Sequence, residues 1–261
     1  MSTPSPDLPD LRLAADRAVA RPGSPWHAAI VLDECASTQD AALHAGAGTP
    51  GLVLVAGRQR AGRGRLGRAW HDESGLGLAL TCVLPAHTPS LPLVAGVAIL
   101  RAVRSLGARL IGLKWPNDVV ERDGRRRKLA GVLVEVKNGV TLLGVGLNVL
   151  QTQRDWPAPV QGRAVSLREL GVTTTRADVL AAVLASLDAV LSECRSDAGL
   201  RATLTEWRAA DVLTGTEQEF DHDGTRVRGI IRAIDPLTEI LLATPQGDVR
   251  LPASCTSLVK Q

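Results

Sequence analysis

An Asn-Gly step at 138–139 joins the two longest runs of strand-forming residues in the chain, 128–136 and 140–147. Asn-Gly between two such runs favours a tight hairpin, because both turn residues must adopt positive φ. The two runs are therefore predicted to pair antiparallel. Helical patterns lie on both sides of this hairpin in the sequence. We expect an α+β fold, a mixed sheet with helices on one side, rather than a doubly wound parallel sheet.

The remaining patterns predict three parts. Residues 1–25, with five prolines, are expected to form a loose, flexible tail with a short helix near 11–20. Residues 26–210 form the predicted main body, and 211–261 read as a small β-barrel because short strand-like runs alternate there with turn residues. In the main body we predict strands at 29–33, 52–56, 77–84, 110–114, 119–122, 128–136 and 140–147, and helices at 38–45, 93–106, 176–194 and 200–210.

Composition excludes several classes of protein. The 261 residues are 45% hydrophobic and 22% charged, which is typical of a packed globular chain. No apolar run approaches the roughly 18 residues that a membrane-spanning helix needs, and the first residues do not resemble a secretory signal. We therefore expect a cytoplasmic protein that does not enter a membrane. The four cysteines lie far apart without a CxxC pair or a neighbouring histidine, which argues against a zinc site and a disulfide framework.

The basic residues are unevenly placed. Five arginines, at 58, 60, 63, 65 and 68, fall within eleven residues that contain no acid. A second cluster, 122–128, contains four arginines and Lys128 together with one acid. Both clusters favour an anionic partner. For Arg125, Arg126 and Arg127 a solvated loop tip is the equally acceptable alternative.

Residues 62–67 satisfy GxGxxG, the pattern of dinucleotide-binding loops. In that fold the glycines open a helix inside a βαβ unit, whereas 69–77 is polar and leads into another strand. Arginines also occupy positions that a backbone phosphate cradle does not need. Glycines that permit close approach, combined with guanidinium forks, instead predict a mobile loop that closes over a phosphorylated ligand.

Four segments, in this order, resemble the biotin protein ligase family. They are Gln59 with Gly-Arg-Gly-Arg-Leu-Gly-Arg-Ala-Trp at 62–70, Lys-Trp-Pro-Asn-Asp at 114–118, Lys-Leu-Ala-Gly-Val-Leu-Val-Glu at 128–135 and Gly-Val-Gly-Leu-Asn at 144–148. The resemblance implies an α+β catalytic domain followed by a C-terminal SH3-like domain. It also implies an enzyme that makes biotinyl-5′-AMP from biotin and ATP and then transfers biotin to a lysine of a carrier domain.

The resemblance assigns roles to individual residues. Lys128 corresponds to the central lysine that contacts both the biotin carboxylate and the α-phosphate. Arg63 and Arg65 lie in the loop that closes over biotin and the adenylate, and Arg68 lies near the phosphates. Asp118 is expected to steer the acceptor lysine, whose amine, with a pKa of about 10.4, must lose a proton before it attacks. The catalytic residues are thus Lys128, Arg65 and Asp118.

Two binding subsites follow from the same resemblance. The biotin subsite consists of Ser37, Thr38, Gln39, Gln59, Gly62, Arg63, Gly64, Arg65, Lys128 and Gly131. The nucleotide subsite consists of Arg63, Arg65, Arg68, Trp70, Lys114, Asn117, Lys128, Gly146 and Asn148. The family usually has Asn where Gln39 stands, and Ser37 also fits a helix cap. Trp115 is expected in the core, whereas the long loop 151–165 is a candidate lid and its Trp156 a candidate cover for adenine.

The resemblance implies ATP and Mg²⁺ as cofactors and biotin as substrate. Phosphate and water oxygens are expected to hold most of the Mg²⁺ coordination, so no residue is assigned as a metal ligand. The protein partner is the biotin carboxyl carrier domain of a carboxylase such as acetyl-CoA carboxylase, and a homodimer is suggested. DNA and membranes are not expected partners.

Three alternatives remain open. A lipoate or octanoate ligase shares the adenylate chemistry, although it lacks the run 62–70. A nucleic-acid-binding protein would use both arginine clusters, but one Phe, five Trp and no Tyr leave few rings for stacking bases. A biotin-dependent repressor of this family carries an N-terminal helix-turn-helix domain. The resemblance begins near Val31, so the residues before it are expected to leave no room for that domain.

Overall fold

The computed structural model describes residues 5–45, 49–72 and 75–259. The helices are α1 Leu8–Ala20, α2 Thr38–Ala45, α3 Leu91–Ser105, α4 Arg176–Glu193 and α5 Asp197–Ala210. The strands are β1 Ala28–Cys35, β2 Leu52–Arg63, β3 Ala69–Asp72, β4 Gly77–Leu84, β5 Ile111–Lys114, β6 Asp118–Glu121, β7 Lys128–Lys137, β8 Val140–Asn148, β9 Glu217–His222, β10 Thr225–Asp235, β11 Glu239–Thr244, β12 Gly247–Pro252 and β13 Thr256–Leu258. No helix in this part of the chain is long and apolar enough to cross a membrane.

The main sheet is mixed. Its strand order is β1-β2-β4-β8-β7-β6-β5, with β3 paired to the end of β2. The first pair, β1 and β2, is parallel, and the other pairs are antiparallel. The predicted hairpin is confirmed: Lys137 pairs with Val140, and the turn residues Asn138 and Gly139 have φ of 51° and 77°.

Both faces of the sheet are covered. On β2 the side chains of Val53 and Val55 enter the large core beneath α3 and α4, whereas Leu52 and Leu54 enter a second, smaller core with Ala42 of α2. This alternation follows from the two-residue period of a strand. The predicted α+β class is confirmed, with one difference: α2 lies on the face opposite the other main-body helices, because β2 is apolar on both faces.

The N-terminal segment differs from the predicted loose tail. Residues 8–20 form one helix that packs against α4 and β1, with Leu11 and Ala15 fully buried. Just before it, Asp7 and Ser5 accept hydrogen bonds from the guanidinium of Arg176, whose side chain is completely buried. A proline-rich composition could not indicate this docking, because the contacts come from residues far away in the sequence.

Beyond α5 the chain forms an antiparallel sheet in the order β12-β11-β10-β9-β13. This arrangement is consistent with the predicted SH3-like domain. Trp115, expected in the core, is buried; its ring lies 6.3 Å from that of Phe220 in an edge-on contact, and its Nε1 donates to the carbonyl of Pro236. The indole therefore packs the C-terminal sheet onto the main body.

Candidate active site

A pocket opens where β2, β7 and β8 meet the start of α2. Its lining consists of Ser37, Thr38, Gln39, Gln59, Arg63, Gly64, Arg65, Trp70, Asn117, Lys128, Gly131, Val132, Leu133, Gly144, Val145 and Gly146. The fold thus brings together twelve of the predicted site residues from segments that are distant in sequence. The predicted residues outside the lining are Gly62, Arg68, Lys114, Asp118 and Asn148.

One end of the pocket is a buried polar slot. The Oε1 of Gln59 accepts hydrogen bonds from Thr38 N at 2.8 Å and from Thr38 Oγ1 at 3.1 Å, and Thr81 donates to Thr38 Oγ1 at 2.9 Å. Gln39 donates its Nε2 to Leu133 O at 2.9 Å. Its Oε1 is buried and has no partner among the described residues. A buried acceptor without a donor is costly, so this end of the pocket suits a ligand that carries N–H groups.

Thr81 is a slot residue that sequence reasoning missed. It lies in the middle of β4, and its side chain is completely buried. Nothing in its local pattern distinguishes it from a core strand residue, because only the pairing of β4 with β2 carries it next to Thr38.

Glycines form the floor of the pocket. Gly131 of β7 and Gly146 of β8 are paired across the two strands. A Cβ on Gly146 would lie 2.6 Å from Cζ2 of Trp70, and a Cβ on Gly144 would lie 2.9 Å from Nε2 of Gln39. Neither distance is possible without displacement of the neighbouring side chain. The absence of side chains here is therefore what allows Trp70 and Gln39 to reach the sheet.

Gly146→Ala is expected to lower formation of the adenylate that the family resemblance implies about tenfold to a hundredfold, because the methyl group would push Trp70 out of the pocket and misplace the ligand. Gly96→Ala in α3 is the matched control, since a Cβ there would meet only Leu113 Cδ2 at 3.7 Å, an ordinary contact. Single-turnover measurements of adenylate formation by both variants, together with their melting temperatures, test this prediction. Equal activity of the two variants would show that Trp70 need not lie on Gly146.

Three cations among the described residues line the pocket, and two of them, Lys128 and Arg65, have different surroundings. Lys128 Nζ lies 2.6 Å from Asp118 Oδ1 and 5.5 Å from the centre of the Trp70 ring. No carboxylate in the described chain lies within ion-pair distance of Arg65, and partial burial lowers the pKa of its guanidinium. The charge of Asp118 opposes this shift without forming a direct ion pair. A half-buried cation whose guanidinium is not held in an ion pair is an electrostatic site for an anion. Arg65 therefore marks where a phosphate or carboxylate would be best accommodated.

The predicted residues outside the lining lie close to it. Asn148 is buried, and its Nδ2 donates to the carbonyls of Lys128 at 3.0 Å and Val165 at 3.1 Å, so it fixes the start of β7. Burial lowers the pKa of Lys114. Arg68 is exposed at the end of the loop. The buried Gly62 pairs with Trp70 across β2 and β3.

The second arginine cluster is partly structural. Arg127 donates Nε and Nη2 to the two carboxylate oxygens of Glu121, at 2.6 and 2.8 Å, and Glu121 is only 2% exposed. Arg125 is exposed and pairs with Asp123. For these two residues the structure favours local pairing over an anion site.

Trp156 differs from the prediction that it covers adenine. Its side chain is 7% exposed, and its Nε1 donates to Glu169 Oε2 at 3.1 Å. The surrounding loop contains short 3₁₀ turns at 153–155 and 158–160, and Lys128 N donates to Arg163 O. This indole is used for packing, because the loop folds back on the body. Whether the loop acts as a lid stays a prediction.

Behind the slot lies Asp72, which the sequence did not single out. It is 2% exposed and pairs with Gln59 across β2 and β3. Neither carboxylate oxygen has a hydrogen bond of acceptable geometry in the described chain. Burial raises the pKa of Asp72 to about 7, and Arg176 and the N–H groups of Gln59 and Gly77 only partly oppose this. Asp72 is therefore largely protonated below neutral pH.

The elevated pKa predicts a pH dependence of stability. The folded state keeps the Asp72 proton up to about pH 7, whereas the unfolded chain loses it near 3.8. The stability that the folded state gains by binding this proton more tightly is thus fully present below about pH 4 and is lost as the pH rises to 7. Its upper bound is about 4 kcal/mol. Asp72→Asn should remove it, so the variant should gain stability relative to the parent from pH 5 to pH 8. Urea unfolding at several pH values measures the free energy of unfolding of both proteins. If the two curves of free energy against pH ran parallel, Asp72 would not cause this pH dependence.

The fold also brings Cys255 next to a histidine, which the sequence did not indicate. Its Sγ lies 3.6 Å from His222 Nδ1, with Asp223 nearby. The same Nδ1 lies 3.1 Å from Thr256 Oγ1, whose hydroxyl donates to Pro252 O. Nδ1 is therefore the donor in the contact with Thr256, which leaves Nε2 as the only nitrogen of this ring that could bind a metal. In this structure His222 is joined to its neighbours by contacts of hydrogen-bond length.

Known proteins match both the sequence and the structure. A family model for the biotin/lipoate A/B protein ligase family matches residues 36–151. A biotin–[acetyl-CoA-carboxylase] ligase of Mycobacterium tuberculosis is 36% identical over 227 residues, covering 82% of each chain. A protein with the same name from Paracoccus denitrificans is 30% identical over 243 residues, covering 84% of this chain and 95% of the relative. The structure of biotin protein ligase from Aquifex aeolicus in complex with biotin and ATP has a TM-score of 0.79 and 28% identity, covering 90% of this chain and all of that one.

A mixed sheet with a polar slot beside cationic side chains, followed by a small antiparallel β domain, is the fold of a ligase, as the match to the biotin protein ligase structure shows. The chain belongs to the biotin/lipoate A/B protein ligase family. Within that family, the relatives that it matches over most of their length are the biotin protein ligases.

Proposed function

We propose that the chain is an ATP-dependent biotin protein ligase that makes biotinyl-5′-AMP and transfers biotin to a lysine of the biotin carboxyl carrier domain of a carboxylase. The observation that carries this is the slot formed by Thr38, Gln59 and Gln39 directly beside Arg65 and Lys128. The ureido group of biotin has two N–H donors and one carbonyl acceptor, which suit the orphan Oε1 of Gln39 and the polar slot. The relatives support the same reaction, since the Aquifex structure contains biotin and ATP.

In the first half-reaction the biotin carboxylate attacks the α-phosphate of ATP, a P–O bond to pyrophosphate breaks, and a mixed anhydride forms. Two anions must approach each other while charge builds on the leaving group, so fixed cations lower the barrier. Lys128 and Arg65 both line the pocket, and Arg65 makes no direct ion pair with a carboxylate among the described residues. Trp70 and Gly146 provide a flat surface for the nucleotide, while Lys114 and Arg68 are proposed to approach its phosphates.

In the second half-reaction the acceptor lysine attacks the acyl carbon, and AMP leaves. The attacking amine must be neutral, and Asp118, next to Lys128, is the carboxylate proposed to orient it and to accept its proton. Mg²⁺ is part of the proposal. When bound, it would screen the phosphate charge, held mainly by phosphate oxygens, with the Oδ1 of Asn117 as a protein ligand because Nδ2 of that side chain donates to Val132 O.

Residues 26–210 are proposed as the catalytic domain and 211–261 as the SH3-like domain. The proposal includes a cytoplasmic location, where ATP and the carrier protein occur together, and a homodimer. It does not include DNA, because Arg63 and Arg65 line the pocket rather than an outer surface.

Pyrophosphate release by the purified protein with ATP and Mg²⁺ tests the proposal most directly. Release with biotin, but not with lipoate or octanoate, followed by biotin transfer to an isolated carrier domain, would support it. Release with lipoate or octanoate instead would assign the chain to the other branch of the family. No release with any of the three ligands from folded protein would refute the enzymatic proposal.

Arg65→Ala is expected to let the adenylate escape, because the side chain that would neutralise its phosphate is removed. The attraction that would hold the loop closed over the adenylate is lost with it. The expected result is an increase of about tenfold or more in the rate at which biotinyl-5′-AMP appears in solution, with formation less affected. Arg58→Ala, at the other end of the arginine run and outside the pocket lining, is the control. Retention as tight as in the parent would contradict this role.

A further inference from the structure

Four charged side chains meet at the rim of the slot. Arg63 donates Nη1 and Nη2 to the carboxylate of Asp40, the second contact at 2.8 Å, and its Nη2 also lies 3.4 Å from Glu135 Oε2. Lys137 Nζ lies 3.4 Å from Asp40 Oδ1 and 3.3 Å from Glu135 Oε2. Two cations thus face two carboxylates, and the formal charge of this cluster is zero.

Both terminal nitrogens of the Arg63 guanidinium already donate to carboxylates of Asp40 and Glu135. The hydrogen bond from Arg63 holds the pKa of Asp40 at about 2, so the carboxylate stays ionised at any physiological pH. The same pairing raises the pKa of Arg63, whereas burial lowers the pKa of Arg65 and the charge of Asp118 only partly opposes this. The two arginines of the loop are therefore not equivalent. Arg63 is engaged in direct ion pairs, whereas the guanidinium of Arg65 makes none among the described residues and can pair with an anion.

The cluster connects three elements that frame the slot. Asp40 follows Gln39 in the first turn of α2, and Arg63 ends β2, four residues after Gln59. Glu135 is two residues beyond Leu133 on β7, the strand whose carbonyl accepts the Gln39 amide. The Arg63 side chain thus runs from β2 to α2 and β7 across the side of the slot. Such a bridge limits how far these three elements can separate.

We infer that Asp40 and Glu135 are positioning residues that hold Arg63 as a strap across the biotin slot, with Lys137 neutralising the pair of acids. The strap retains biotin and makes no contact with the nucleotide. This inference rests on the proposed function, because it takes biotin as the occupant of the slot. Within the loop 62–70 it assigns anion binding to Arg65, and it assigns closure of the biotin slot to Arg63.

The test combines Asp40→Asn, Arg63→Gln and the double variant in the full-length chain. Biotin affinity is measured by calorimetry without ATP, and KM for ATP and kcat are measured by pyrophosphate release at saturating biotin. Each single change should weaken biotin binding about threefold to tenfold, the range expected for a partly exposed ion-pair network. In Asp40→Asn the ATP KM and kcat should change less than about twofold, because Asp40 is not among the residues that line the pocket. The double variant should bind biotin as the weaker single variant does, because both changes remove the same bridge.

Two further variants separate positioning from general structure. Asp40→Glu keeps the charge and should restore most of the biotin affinity. Glu206→Gln breaks a similar pair with Arg101 between α3 and α5, away from the pocket, and should change neither biotin affinity nor ATP KM. Melting temperatures verify that all variants are folded.

Several results would overturn the strap. If Arg63→Gln raised the ATP KM while Asp40→Asn changed neither the ATP KM nor the biotin affinity, Arg63 would contact the nucleotide itself. Additive losses in the double variant would mean that the two residues act separately. Failure of the proposed function is distinguishable, because it would appear as absent pyrophosphate release or absent biotin binding in the parent protein.

Discussion

Lys128→Ala should reduce biotin-dependent pyrophosphate release by about a hundredfold to a thousandfold, the range found when a group that stabilises transition-state charge is removed. The ammonium group lies at the junction of the slot and the Trp70 surface, where the carboxylate of one substrate would meet the phosphate of the other. Its loss would leave Asp118 unpaired next to two anionic substrates. The substitution should therefore raise the barrier rather than only weaken binding.

Lys128→Met is the matched variant, because it retains the approximate length of the side chain while removing the charge that lies over the Trp70 ring. Lys128→Arg should also fail, since a planar fork does not replace a compact charge at a bridging position. Quenched-flow measurement of adenylate, with melting temperatures for each variant, decides the outcome. Adenylate synthesis at the parental rate by a folded Lys128→Met protein would refute the central role of this lysine.

Arg176→Met should lower the free energy of unfolding by roughly 3 kcal/mol or more, the cost typical of breaking a buried ion pair. The guanidinium donates to Asp7 and Ser5, and also to the carbonyls of Gly57 at 2.6 Å and Gly77 at 2.9 Å. A methionine would leave those acceptors without donors in a region closed to water. The N-terminal helix should detach first, because Asp7 is its anchor.

Arg208→Met provides the comparison. Its pair with Asp235 is largely exposed, so its loss should cost between zero and about 1 kcal/mol. Urea unfolding gives both values, and proteolysis near residues 20–27 reports detachment of α1. If both variants lost the same small amount of stability, Arg176 would not be the link between the N-terminal segment and the sheet.

Much of the fold and site was predictable because local sequence carries the signal. The Asn-Gly turn at 138–139 requires positive φ, and apolar spacing in α3 and α4 identifies their buried faces. The arginine-glycine run and Lys128 carry chemistry that is recognisable without coordinates. The fold brings these segments together, and twelve of the predicted residues line one pocket.

The remaining features depend on long-range packing. The roles of Trp156 and Arg176 are set by residues that are not their sequence neighbours. Trp156 donates to Glu169, thirteen residues away, and Arg176 donates to Asp7 near the other end of the chain. Thr81 and Asp72 became part of the slot region only through strand pairing. Their own sequence neighbourhoods are indistinguishable from ordinary strand or loop segments.

By itself the sequence determined the α+β class, the hairpin, the order of the motifs and the identity of the charged groups, since turn chemistry, apolar periodicity and functional groups are local properties. Only the tertiary structure decided which of those charges remain available. It paired Arg63 with Asp40 and Glu135 while leaving Arg65 outside any direct ion pair, and it buried Asp72 so deeply that its pKa is raised to about 7. The physical reason is that desolvation and ion pairing depend on distances between elements, which the fold alone establishes.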